Sequence, residues 1–255
     1  MGLSKARVLI SNDDGILAPG LKVLEKAIRA VAKEVWVVAP ETEQSAAAHA
    51  VTLRRPLRIR KVSKQRFAVD GTPTDCVLLA INQIMKDGLP DLVVSGINRG
   101  CNMGDDVTYS GTVAAAIEAI ILGVPAVAFS QHYEDGNPIH WSTSEHWVPK
   151  VLKKLAGVSV SRDTLINVNF PDVAYKDVTG IEVTRQGKRK LGDQIQEGHD
   201  PRGQPFYWIG SQWVDETFYK GTDLAAVYAG AVSITPLSID LTDTRMMKSL
   251  KGVFE

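Results

Sequence analysis

The sequence is short of cysteine and has no charge excess, and each of these excludes something. Two cysteines, Cys76 and Cys101, occur in 255 residues. That count supports neither a disulfide framework nor a cysteine-based zinc site, and it fits a reducing compartment. Lysine plus arginine number 29 and aspartate plus glutamate 29, so the formal net charge is zero. A protein that tracks a nucleic-acid backbone carries a basic excess, so no duplex nucleic acid is expected as partner. No apolar run approaches the roughly 18 residues of a membrane span. The stretch Met1-Gly2-Leu3-Ser4-Lys5-Ala6-Arg7 lacks the apolar segment of a secretion signal. A cytoplasmic chain with no membrane partner is the expectation. A Gly-x-Gly-x-x-Gly fingerprint and a Walker loop are missing too. So is a Gly-x-Ser-x-Gly elbow, because Tyr109-Ser110-Gly111 lacks the preceding glycine. These absences disfavour P-loop ATP hydrolysis and acyl transfer.

What is present is an ordinary globular composition, with 44% hydrophobic and 23% charged residues. At about 150 residues per domain, the length suits one large α/β domain with an appendage. Val8-Leu9-Ile10 and Val35–Pro40 are short apolar runs, as are Asp91–Ser95 and Val124–Phe129. Runs of this kind suit strands of a parallel sheet buried on both faces. Between them, Leu21, Leu24, Ile28 and Val31 recur at helical spacing behind Pro19; Thr74–Met85 and Gly111–Leu122 also read as helices. The alternation predicts a doubly wound, mostly parallel α/β sheet. Leu165–Pro171 and Ala229–Pro236 read as further strands, and Thr242–Lys251 as a short helix. Residues 186–221 are polar and glycine-containing, with Phe206, Tyr207, Trp208 and Trp213 scattered through them. They read as a protruding β-hairpin arm, whose aromatics bury either in a partner subunit or on their own domain.

In open α/β sheets ligands bind beyond the carboxyl ends of the strands, near the switch point. Three such ends carry the polar residues: Asn12-Asp13-Asp14-Gly15, Ala39–Ser45, and Gly96–Asp106. Adjacent carboxylates repel unless a cation sits between them. Asp13 and Asp14, with the hydroxyl of Ser45 and the amide of Asn98, make an oxygen-only set suited to Mg²⁺, Mn²⁺ or Ca²⁺. That set leaves room for water and a phosphate oxygen. The alternative for either acid is a loop or helix cap. The glycine-rich loop Gly96–Gly104 leads to Ser110-Gly111-Thr112, a helix start whose free N–H groups favour an anion. Asp70 and Asp75 are read as turn and capping residues, His49 as a packed or solvated loop histidine rather than a substrate contact, and Cys101 as a small filler.

These segments together carry a family resemblance. They are Ile10–Gly15 with Ala18-Pro19-Gly20, Val38-Ala39-Pro40 with Gln44-Ser45, Val69–Cys76, Val94–Gly100, Asn102-Met103-Gly104 and Tyr109–Ala116. Late in the chain, Asn167–Pro171, Gly221-Thr222-Asp223 and Thr235-Pro236-Leu237 continue it. In this order and spacing the chain resembles the survival protein SurE family of metal-dependent 5′/3′-nucleotidases. The resemblance implies a Rossmann-like core over 1–255, with the arm at about 186–221 swapped between subunits of a homodimer or homotetramer. It implies one divalent cation, Mg²⁺ or Mn²⁺, on Asp13, Asp14, Ser45 and Asn98. It further implies hydrolysis of nucleoside 5′- and 3′-monophosphates to nucleoside and phosphate. Asp13 and Asp14 are then the candidate catalytic acids. Asn12, Gly96, Asn102, Ser110, Gly111 and Thr112 are the candidate substrate-binding residues. Three alternatives stand beside this: a phosphatase of sugar phosphates or short polyphosphate, a non-catalytic nucleotide-binding module, and a receiver-type signalling domain. The last is disfavoured by chain length and by the lack of an aspartate at a later strand end.

Overall fold

The chain is described by a computed structural model covering residues 2–134, 136–189, 195–209 and 218–254. Alternation along the first strand, β1 (Arg7–Ser11), sets the layering. Val8 and Ile10 point into one apolar layer and Leu9 into the other, all fully buried. The same two-sided burial recurs in β2 (Glu34–Pro40), β5 (Leu92–Arg99), β6 (Ala126–Gln131) and β7 (Thr164–Phe170). A strand apolar on both faces is stable only between two helical layers. Those layers are α1 (Pro19–Arg29) with α4 (Trp141–Leu155) on one side and α2 (Pro73–Leu79) with α3 (Gly111–Ile121) on the other.

Two more strands complete one edge, β3 (Ile59–Ser63) and β4 (Arg66–Val69), and two the other, β8 (Ile181–Val183) and β11 (Val232–Ser238). The nine-stranded order is β3-β4-β2-β1-β5-β6-β7-β11-β8. From β4 to β7 all neighbours are parallel; β3 and β11 run antiparallel to their inner neighbours. The expected mostly parallel, doubly wound α/β fold is therefore what forms. A separate antiparallel hairpin, β9 (Ile195–His199) with β10 (Pro205–Ile209), lies within the expected arm. Its Phe206, Tyr207, Trp208 and Ile209 are exposed, while Trp213 lies outside the described residues. The base of the arm is tied to the main body, with Arg185 bridging to Thr222.

Several boundaries differ from the sequence reading. The helix expected over Thr74–Met85 is α-helical only to Leu79 and continues as a π turn over Ala80–Ile84. The strand expected from Ala229 starts at Val232, because Ala229 caps a further helix, α5 (Asp223–Tyr228). The last helix, α6 (Thr244–Phe254), buries none of its residues. Among the described residues no helix is long and apolar enough to cross a membrane.

One close approach locks a helix to the strand that carries the site. A Cβ on Gly20 in α1 would lie 1.9 Å from the carbonyl oxygen of Ile97 in β5. Gly20→Ala is expected to lower stability by about 1–3 kcal/mol through forced displacement, read as a lower denaturant midpoint. Gly252→Ala, where a Cβ meets nothing within 4 Å, is the matched control and is expected not to lower it.

Candidate active site

Strand order reverses between β1 and β5: the chain leaves β1 for β2 and β4 on one side, then returns to β5 on the other. Ligands of doubly wound sheets sit at this point, and the acids are here. The turn after β1 is shaped by Asn12, whose Nδ2 donates to the Gly15 carbonyl at 3.1 Å, and by Gly15 at φ +97°. The Ile16 N–H then donates to the Pro40 carbonyl at 2.8 Å, joining the turn to the end of β2.

Asp13 is buried, and the Thr112 hydroxyl donates to its Oδ1. The start of α3 sits directly on it: a Cβ on Gly111 would lie 2.7 Å from Asp13 Cβ. Burial pushes the Asp13 carboxyl from the ordinary 3.8 up to about 7; Thr112 opposes this, while the charges of Asp14 and Glu43 add to it. Asp14 is half-buried and also raised by burial, against the Arg99 backbone N–H that donates to its Oδ2 at 3.1 Å; Glu43 again adds repulsion. Glu43 is a third acid that sequence reasoning passed over, although it lies in the segment following β2. Its Oε1 accepts from Ser45 Oγ at 2.6 Å.

Ser45 itself is exposed, but its neighbour Gln44 donates its backbone N–H to the Asp13 carbonyl at 2.8 Å. Asn98 is aimed by a bulge. The β5–β6 register shifts between Ser95 and Asn98, at Gly96, where a Cβ would lie 2.2 Å from the Phe129 carbonyl oxygen. Gly96 thus shapes the strand at this point. The Asn98 Nδ2 donates to the Gly100 carbonyl at 3.0 Å.

A common pattern results. Among the described residues, Asp13 Oδ2, Asp14 Oδ1 and Asn98 Oδ1 have no hydrogen-bond partner, while the other terminal atom of each side chain is fixed. The buried Asn12 Oδ1 is likewise unpartnered. No three His, Cys, Asp or Glu side chains converge for a metal among the described residues. A cation here would therefore need the mixed carboxylate, amide and hydroxyl set, which is the hard-oxygen chemistry of Mg²⁺ or Mn²⁺. The donor set fits that group.

The remaining candidate residues divide between anchoring and the helix start. Asn102 is buried and anchors the glycine-rich loop. Its Nδ2 donates to Ser130 Oγ at 2.8 Å, its N–H to Asn169 Oδ1 at 2.9 Å, and its carbonyl accepts from Asn167 and Asn169. Ser110 is the N-cap of α3, accepting the Val113 N–H at 3.0 Å. The Gly111 and Thr112 N–H groups, in the first turn, have no helical partner. Asp75 forms a capping box with Thr72 at the start of α2, and Asp70 accepts from the Arg58 N–H at 2.6 Å. His49 pairs with the buried Glu118 of α3 at 3.0 Å, pinning the segment that carries Ser45. Burial pushes the Cys101 thiol up, in keeping with its reading as small filler. A cavity of about 530 Å³ lies at the opposite, amino end of the strands, among residues such as Leu3, Pro125, Leu152 and Ile166.

The fold and site together define a doubly wound α/β protein with an oxygen-donor rim at its switch point. The comparisons narrow this. The family model described as Survival protein SurE matches residues 8–193. A protein named 5′-nucleotidase SurE from Paramagnetospirillum magneticum is 61% identical, covering 98% of this chain and 96% of its own length. Its counterpart from Parvibaculum lavamentivorans is 52% identical, covering 98% and 91%. The crystal structure of the SurE protein from Aquifex aeolicus superposes with a TM-score of 0.85 at 41% identity, covering 98% of this chain and 100% of that one. The chain belongs to the SurE family.

The raised Asp13 carboxyl makes stability depend on pH with a definite sign. An acid whose folded pKa exceeds its unfolded value destabilises the fold when it must ionise. In the metal-free chain this contribution is therefore favourable below about pH 4 and lost as pH rises through about 7. Asp13→Asn is expected to melt higher than the parent at about pH 8 in EDTA. Mn²⁺ is expected to raise the parent's melting temperature more at about pH 8 than at about pH 5. An Asp13→Asn chain that melts lower at pH 8 in EDTA contradicts this.

Proposed function

We propose that this chain is a divalent-metal-dependent phosphomonoesterase that hydrolyses nucleoside 5′- and 3′-monophosphates to nucleoside and phosphate. The observation that carries the reading is the trio of unpartnered oxygens, on Asp13, Asp14 and Asn98, beside an open helix start. The curated relatives are named 5′-nucleotidase SurE, which supports the 5′-nucleotidase part of this reading.

Asp13, Asp14 and Asn98, with Ser45 from the segment after β2, would hold one Mg²⁺ or Mn²⁺. A cation bound there supplies a Lewis acid for a phosphoryl oxygen and lowers the pKa of a bound water. The chain's own residues do the rest. The Gly111 and Thr112 N–H groups and the Ser110 hydroxyl receive the other phosphate oxygens, where charge builds up during transfer. Thr112 holds Asp13 through its Oδ1, and the Arg99 N–H holds Asp14 through its Oδ2, so each acid presents one defined oxygen. Asp14, the less buried of the pair, accepts the proton of the attacking water. Water attacks phosphorus in line, the bond to the ester oxygen breaks, and that oxygen takes a proton from solvent as the nucleoside leaves. Asn12 and Asn102 act behind this surface by fixing the two loops that form it.

The whole chain works as one α/β unit carrying the arm of residues 186–221. The exposed Phe206, Tyr207, Trp208 and Ile209 suit cover by a second copy, as a homodimer or homotetramer. Two unpaired cysteines suit a reducing cytoplasm.

The test is phosphate release from nucleoside monophosphates, sugar phosphates and polyphosphate with Mn²⁺, Mg²⁺ or EDTA. Nucleotides are expected to be preferred and EDTA to abolish release. Asp13→Asn and Asn98→Ala are each expected to lower kcat/KM by about a hundredfold or more. Full metal-dependent turnover in both variants would overturn the assignment, and preference for sugar phosphates would replace the substrate.

A further inference from the structure

The chemistry above leaves two side chains at the edge of the acid rim unused, those of Arg99 and Tyr133. The Arg99 backbone is fixed by its N–H on Asp14 Oδ2 at 3.1 Å, yet the residue is exposed. Its guanidinium makes no ion pair among the described residues. The guanidinium carbon stands 5.2 Å from the centre of the Tyr133 ring. Tyr133 follows the end of β6, where the Gln131 carbonyl accepts the Gly100 N–H at 3.0 Å.

Gly100 lies between this pair and the candidate ligands. At its φ of +110° a Cβ would lie 4.0 Å from Asn98 Nδ2 and 4.0 Å from Tyr133 Cε1. The amide of Asn98 and the ring of Tyr133 therefore flank the same glycine. Aromatic surface continues nearby, with His132 and Tyr228 ring centres 5.0 Å apart and Phe218 stacked on Tyr228 at 4.5 Å.

A flat cation backed by an aromatic ring, and not clamped in a close ion pair among the described residues, is a surface on which heteroaromatic rings stack. We propose that Arg99 and Tyr133 form the wall that receives the nucleobase, with the phosphate directed to the acids and α3. This rests on the nucleotidase reading and adds the residues that select a nucleotide over a base-free phosphate ester. A purine, with the larger face, gains more from the wall than a pyrimidine.

The experiment compares adenosine 5′-monophosphate with ribose 5-phosphate in the Mn²⁺-loaded parent, Tyr133→Leu, Tyr133→Phe and Arg99→Ala. Tyr133→Leu and Arg99→Ala are each expected to raise KM for the nucleotide about tenfold with little change in kcat. The nucleotide-to-ribose-phosphate ratio of kcat/KM then falls about tenfold, and it falls less for uridine 5′-monophosphate. Tyr133→Phe keeps the ring and is expected to keep the ratio. An unchanged ratio in Tyr133→Leu and Arg99→Ala overturns the wall while leaving the nucleotidase reading intact. Equal losses on both substrates overturn it as well, because they mark a phosphate contact. A parent that hydrolyses neither substrate overturns the underlying reading, and the wall with it.

Discussion

Two consecutive carboxylates, Asp13 and Asp14, are held at the carboxyl end of the strand where the sheet changes direction, and Glu43 adds a third negative charge beside them. Burial disfavours ionising Asp13 and Asp14, and the neighbouring negative charge adds to it. None of the three makes an ion pair with Lys, Arg or His among the described residues. Neutral donors orient the pair, the Thr112 hydroxyl on Asp13 and the Arg99 N–H on Asp14, and the nearby Arg99 charge offsets part of the burial of Asp14. Such donors orient a carboxylate without neutralising it. The arrangement suits the proposed function, in which a cation would supply the opposite charge. It places stability and function in opposition at one residue, as strained functional sites commonly do.

The surrounding architecture serves that constraint. Gly111 lets the start of α3 rest on Asp13, and Gly96 lets β5 bulge against β6 so that Asn98 leaves the regular register. Both glycines are required by close approach, since a Cβ at either would lie within 3 Å of a neighbouring atom. The glycine-rich loop is held from beneath by Asn167 and Asn169 of β7 and from the side by Asp223, whose Oδ2 accepts the Gly104 N–H at 2.9 Å. Rigid strands and a buried polar network thus fix a rim made of short loops, which is how precise geometry is obtained at a loop surface.

Much of this was legible in the sequence, for physical reasons. The central strands are apolar on both faces, so Val8-Leu9-Ile10 and Val35–Pro40 announced themselves, and the polar segments behind them marked the rim. What escaped was structure whose signal is weak or local. The strand β3 is exposed along its whole length and reads as a charged loop. Helix α4 carries Pro149 in its interior and a polar face, which hid its period. Helix α5 is a six-residue element, too short for periodicity to speak. In the site, the Thr112 hydroxyl also holds Asp13, and Asn102 also anchors its loop through Ser130, contacts that no local pattern announces. Spacing along the chain carries no information on which neighbour a hydroxyl or an amide meets across 99 or 28 residues. The pairing of His49 with Glu118 was hidden for the same reason.

The central claim is that the acid pair, with Asn98 and Ser45, is a cation site. Electron paramagnetic resonance counting of bound Mn²⁺ tests this directly, without reference to turnover. The account predicts one Mn²⁺ per chain in the parent protein, bound more weakly as pH falls through about 7, and none in Asp13→Asn combined with Asp14→Asn. Equal Mn²⁺ binding in parent and double variant, or none in the parent at millimolar Mn²⁺, would contradict it.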